Sequence, residues 1–145
     1  LAARLALARV AIREGRGAGE VSGLRESAKE ADALGLKYLQ AKCSVRLGEA
    51  LAAGKDVAGA RGELERALDL SDRLGLAVLQ AEGQHALATV SRSAGDTATA
   101  ASNCREALLK LDEMLKDSGA ERAKERSDLS SIEADCKSGI EAAKR

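Results

Sequence analysis

Residues 34–42 read LGLKYLQAK, and residues 74–82 read LGLAVLQAE. A shift of 40 residues keeps far more than these two stretches in register. It pairs Leu47 with Leu87, Asp56 with Asp96, Ala60 with Ala100, Ala67 with Ala107 and Leu68 with Leu108. A chain that repeats itself at such a period is built from copies of one supersecondary unit, each burying an apolar face on the next. Few folds satisfy that requirement, and the spacing of apolar residues inside each copy selects among them.

In residues 36–53, Leu36, Leu39, Cys43, Leu47, Ala50 and Leu51 recur at steps of three and four, which is one face of a helix. Gly54 is the expected stop. Asp56 is placed to cap the next helix by accepting a backbone N–H. Ala60, Leu64, Ala67, Leu68, Ser71 and Leu74 continue the same spacing in residues 57–74. Gly35 and Gly75 fall where second helices should end, since glycine enters the left-handed region at little cost. The following copy has Leu76, Leu79, Gly83, Leu87 and Val90 on its first helix. Gly95 is its turn and Asp96 its cap, and Ala100, Cys104, Ala107, Leu108, Leu111 and Leu115 lie on its second helix, which Ser118-Gly119 closes.

Residues 1–33 read as a weaker copy. Leu7, Ala8, Val10 and Ala11 lie on a first helix, residues 15–19 (GRGAG) form the turn, and Leu24, Ala28 and Ala31 lie on a second helix. The capping aspartate is missing, because Arg16 stands where Asp56 and Asp96 stand later. Residues 120–145 do not repeat. Leu129, Ile132, Cys136, Ile140 and Ala143 make one apolar stripe among charged residues, as expected of a helix that closes a stack or, alternatively, of one that binds a partner or swaps between copies.

Composition agrees with an all-α protein. The 145 residues include no Pro, Phe or Trp and a single Tyr, Tyr38, so the core is made of Leu, Ala, Val and Ile, which suit closely packed helices. The expected architecture is a right-handed α-solenoid of three antiparallel helix pairs (about 1–34, 35–74 and 75–118) with a capping helix at about 120–143, forming a single domain. Formal net charge is zero, against the basic excess of a chain that neutralises many phosphates, so nucleic-acid binding is disfavoured. No apolar run approaches the length of a membrane span. Arg4, Arg9 and Arg13 interrupt the first apolar stretch, unlike a secretory signal, and a chain beginning at Leu1 reads as a segment of a longer protein. Cys43, Cys104 and Cys136 are odd in number and lack CxxC spacing. They read as small buried hydrophobes in a reducing cytoplasm rather than as a disulfide framework or zinc site.

The pattern resembles the tetratricopeptide repeat in a long, 40-residue form. The resemblance rests on Leu47-Gly48, Leu51, Ala60, Leu64 and Ala67 in one copy, and on Leu87-Ala88, Ser91, Ala100, Cys104 and Ala107 in the next. Leu7-Ala8, Ala11, Leu24 and Ala28 carry it in the first. It covers roughly residues 1–118; the family's usual aromatics and terminal proline are absent, and Glu20 replaces a small residue. The resemblance implies a protein–protein interaction scaffold whose first helices line a concave groove, as in arrays of bacterial signalling and regulatory proteins. By register the groove residues are Arg9, Arg13, Lys42, Arg46, Glu49, Glu82, His85, Thr89 and Arg92. Five are basic, so the expected partner is an acidic or carboxylate-bearing peptide, since guanidinium groups pair with carboxylates bidentately. The same row of charges also reads as a solvated face. The carboxylate-clamp pattern of the family needs asparagine at groove positions, and the only one, Asn103, is on a second helix.

Chemistry is not expected. His85 is the only histidine and has no nucleophile or metal-ligand spacing around it, so it reads as a polar groove residue rather than a general base. Residues 15–19 follow a helix and lack the Gly-Lys-Ser/Thr of a phosphate loop. Neither HExxH nor GxSxG occurs. No cofactor or metal is expected. Two further readings stand beside the scaffold: a self-association module, using the first hairpin and the last helix, and a small-molecule sensor. Scarce aromatics and polar anchors weigh against the sensor.

Overall fold

The computed structural model describes residues 1–118 and 127–145. The described residues are helical throughout, without strands. In order they form α1 (Ala2–Arg13), a 3₁₀ turn (Gly17–Glu20), α2 (Val21–Ala33), α3 (Lys37–Ala53), α4 (Val57–Arg73), α5 (Ala77–Ser93), α6 (Thr97–Ser118) and α7 (Ser127–Ala143). They divide into two compact units, Leu1–Leu74 and Gly75–Arg145, cut where the second expected repeat meets the third. In the first unit adjacent helices pack, α1 on α2, α2 on α3 and α3 on α4. In the second, α5 packs on α6 and α6 on α7. The expected closing helix is present from Ser127; its expected first residues, 120–126, lie outside the described residues, as does Gly119.

The turns keep a stricter period than the side chains do. A residue with positive φ occurs at every twentieth position: Gly15, Gly35, Lys55, Gly75 and Gly95. At 15, 35, 55 and 95 the same two hydrogen bonds close the preceding helix. At the first of these the Gly15 N–H donates to the Ile12 carbonyl and the Arg16 N–H to the Ala11 carbonyl; at the third, Lys55 donates to Ala52 and Asp56 to Leu51. This is the Schellman closure, in which one left-handed residue lets two N–H groups turn back onto the last carbonyls. Gly54 ends α3 as expected, as its C-cap with φ −82°, and the next residue, Lys55, takes the left-handed place at φ 63°. A side chain there is strained by its Cβ. Lys55→Gly is therefore expected to stabilise the protein by about 0.5–1 kcal/mol after the entropy glycine adds to the unfolded chain. Urea unfolding reads this directly, and a loss of stability would contradict it.

Both expected aspartate caps form. Asp56 accepts from the Gly59 N–H and Asp96 from the Thr99 N–H, each at 3.0 Å. Arg16, in the equivalent place, makes no cap and precedes the 3₁₀ turn; its guanidinium pairs instead with Glu14, which raises its pKa.

The second helices of the pairs bury single stripes: Leu24, Ser27 and Ala31 on α2; Ala60, Leu64, Ala67 and Ser71 on α4; Ala100, Cys104, Ala107 and Leu111 on α6. Among the expected members, Ala28 is only half-buried, its place in the core taken by Ser27, and Leu74 is the exposed C-cap of α4, past the last turn that faces α3. The first helices depart from expectation. From Ala41 to Leu51, α3 buries nine residues, including Ser44, Arg46 and Gly48. A helix that touches α1, α2 and α4 at once has little free surface. In α1 the buried residues are Leu5, Ala8 and Ala11, whereas Leu7 and Val10, expected on the apolar face, are 71% and 51% exposed. The second unit's core joins Ala81, Ala88, Ala100, Cys104, Ala107 and Leu111 to Leu129, Ile132 and Cys136 of α7. No described helix is long and apolar enough to cross a membrane.

Candidate functional site

The residues read as groove-facing differ in what they are left free to do. In the first unit Arg13, at the end of α1, is exposed, and Arg9 is half-buried and has an interaction partner. On α3, Lys42 sits over the Tyr38 ring, 5.8 Å from its centroid, an arrangement that holds the ammonium by the ring's negative face. Arg46 departs most from expectation. It is 3% exposed, and its Nη1 donates to Glu49 Oε2 at 2.8 Å one turn on. The packing of α3 on three neighbours encloses that side chain, and a buried guanidinium, which stays charged, needs a carboxylate beside it to offset its desolvation. Arg46 and Glu49 therefore form a structural ion pair and are not free to meet an incoming ligand.

In the second unit Glu82 is buried and Thr89 is exposed, its hydroxyl donating back to the His85 carbonyl. His85 points to α7. Its Nε2 lies 2.6 Å from Asp135 Oδ2, and Arg92 Nη1 approaches the same oxygen at 3.7 Å. Positions 85 and 92 are two turns apart on one face of α5, so a single carboxylate from α7 spans both. These two residues hold the last helix against α5 by polar contacts, alongside the apolar stripe that α7 lays on α6. That role could not be read from the sequence, because the partners are 50 residues apart and no helical period links them.

Searches of family models, curated proteins and solved structures return no match to this chain. The chemistry of the site is therefore read from its own side chains.

The three thiols are free and buried. Burial pushes the Cys43 pKa up, and burial together with the hydrogen bond that the Cys136 thiol donates to Cys104 pushes the Cys136 pKa well up. A thiol held protonated in this way is a poor nucleophile. Among the described residues, no group of three or more His, Cys, Asp or Glu is placed to hold a metal ion. The one histidine is engaged through its Nε2 with Asp135.

The first unit also contains an open cleft of about 300 Å³ between α2, α3 and α4. None of the expected groove residues lines it. Its α3 wall is Gln40, Ser44 and Leu47, at i, i+4 and i+7, which is the side of the helix roughly opposite Lys42, Arg46 and Glu49.

Proposed function

We propose that the chain is a non-catalytic interaction scaffold similar to the tetratricopeptide repeat, a right-handed α-solenoid of antiparallel helix pairs ended by α7, which takes a partner protein or peptide on the exposed parts of its first helices. The observation that carries this reading is the recurrence of one turn. The left-handed residue returns at 15, 35, 55, 75 and 95, and the aspartate cap returns 40 residues on with an identical bond. A chain that spends its sequence on repeating a turn is organised as an array, and arrays present long surfaces rather than deep catalytic pockets. The preference for an acidic partner now rests chiefly on the exposed Arg13 and on Lys42, with Arg9, itself engaged with a partner, beside Arg13 on α1; Arg46 and Arg92 face carboxylates of the chain.

The test uses a fluorescein-labelled peptide of alternating glutamate and alanine, with the lysine–alanine peptide as control. The glutamate peptide is expected to raise anisotropy saturably and salt-dependently, and Arg9→Glu with Arg13→Glu to weaken it at least tenfold. Equal binding of both peptides, no binding of either, or an unchanged Kd in the double variant would overturn the acidic-partner reading. A second reading has its own support. Leu7 and Val10 leave an apolar strip open on α1, which suits self-association of the chain. Sizing across a hundredfold range of concentration separates the two, because only self-association shifts the elution volume and only it responds to Leu7→Glu.

A further inference from the structure

The cleft of the first unit carries an imbalance of charge that its own side chains do not resolve. Two anions line it, and both are already engaged. Asp32 Oδ1 accepts from Gln40 Nε2 at 2.5 Å and lies 3.9 Å from Lys37 Nζ. Glu63 is mostly buried, with its Oε1 3.0 Å from Arg66 Nη1. Two exposed cations on the α2 wall, Arg25 and Lys29, have no ion-pair or hydrogen-bond partner among the described residues. They stand one helical turn apart on the same face, so both heads reach toward the same space. Arg66 uses one guanidinium nitrogen for Glu63 and has further donors to offer.

The floor of the cleft supplies a second, independent sign of a ligand. Ser44 is 5% exposed and lines the cleft. Buried serines elsewhere in this unit return their hydroxyls to the carbonyl four residues back: Ser27 to Gly23 at 3.0 Å and Ser71 to Ala67 at 2.6 Å. Ser44 makes no such bond, and its hydroxyl oxygen is not enclosed but opens onto the cleft. A hydroxyl on the floor of a cleft, turned away from its own helix, is placed to donate to an acceptor that enters. Ala28 and Leu47 flank it with apolar surface.

We propose that this cleft is a carboxylate-binding site, in which Arg25 and Lys29 hold the anion, the Ser44 hydroxyl donates to it, and Ala28 and Leu47 pack its short aliphatic stem. Charge-assisted bonds from a guanidinium and an ammonium are the strongest that such an open cleft can offer, and a hydroxyl donor adds direction. A cleft of this volume takes a group the size of a glutamate side chain or a free dicarboxylate of four or five carbons. The site shares no residue with the first-helix surface and does not rest on the scaffold reading.

The experiment is an NMR titration of the uniformly labelled 145-residue chain with sodium glutarate, with blocked N-acetyl-glutamate methylamide, and with neutral glutaramide, all at constant ionic strength. The carboxylates are expected to shift the amides around Arg25, Ser44 and Leu47 saturably, with Kd in the millimolar range. Glutaramide is expected to shift none of them. Arg25→Gln with Lys29→Gln is expected to raise Kd at least tenfold. Ser44→Ala should raise it severalfold with the melting temperature preserved, and Arg9→Glu with Arg13→Glu should leave it unchanged. Binding of the blocked glutamate alone assigns the carboxylate to a peptide side chain, and binding of glutarate alone assigns it to a small acid; both support the site. Shifts that do not saturate, that glutaramide reproduces, or that persist undiminished in the Arg25 and Lys29 variant would overturn it.

Discussion

Ending the chain after Ser118 is expected to unfold the second unit or leave it molten. α7 contributes Leu129, Ile132 and Cys136, all buried, to the core it shares with α5 and α6. Its removal returns those side chains to water and uncovers Cys104, Ala107 and Leu111 on α6. At about 1.5–3 kcal/mol for each large apolar side chain, the loss is roughly 5–8 kcal/mol, which equals or exceeds much of the stability a domain of this size possesses. The truncated chain should lose a large part of its helical circular dichroism and bind a hydrophobic dye. Iodoacetamide should modify Cys104, which the intact protein shields, while Cys43 in the first unit stays protected. Ile132→Asp in the full chain probes the same contact without shortening it, and should cost about 3–5 kcal/mol because it puts a carboxylate into an apolar interface. A truncated chain that melts as cooperatively as the intact one, with Cys104 still unreactive, would show that α7 is not part of this core.

What the sequence made visible was the local chemistry of turns. Gly35, Gly75 and Gly95 and the two capping aspartates could be placed because each satisfies a backbone need that few other residues meet. Lys55 was hidden for the same reason. A lysine announces no left-handed conformation, and the neighbouring Gly54, which does stop α3, left no reason to look one residue further on. Periodicity found the single stripes of α2, α4 and α6. It underestimated α3, where Ala, Ser and Gly on the remaining faces look neutral in a hydropathy pattern yet are what allow other helices to come near. That enclosure removed Arg46 from the candidate surface. His85 and Arg92 were reassigned by a contact with Asp135, and only three dimensions supply it. Arg25 and Lys29 escaped notice because each is followed by a glutamate, and alternating charges on a helix read as a solvated face. Which of those charges find partners is decided by side-chain geometry, and there the two lysine and arginine heads were left over.

Exchanging one pair of core residues between the repeats should be far better tolerated than either half of the exchange. At Gly48 on α3 an added Cβ would lie 2.5 Å from Leu64 Cγ and 3.3 Å from the Ala60 carbonyl oxygen on α4. The glycine is there because the leucine is large. Forty residues on, the same two places hold Ala88 and Cys104, both in the buried core of the second unit. One extra carbon on the first helix goes with a smaller side chain on the second, so each repeat fills the space between its paired helices by a different division of volume. Gly48→Ala alone should overpack this contact at about 1–3 kcal/mol, reduced by the roughly 1 kcal/mol that alanine gains over glycine in a helix. Leu64→Cys alone should open a cavity at about 2 kcal/mol or more. Together they reproduce the second repeat's arrangement. The double variant should recover about 1–2 kcal/mol relative to the sum of the two single changes, a coupling that denaturant unfolding of all four proteins measures. Strictly additive losses would mean that the two helices do not meet through this pair, and that the correspondence between Gly48–Leu64 and Ala88–Cys104 carries no structural content.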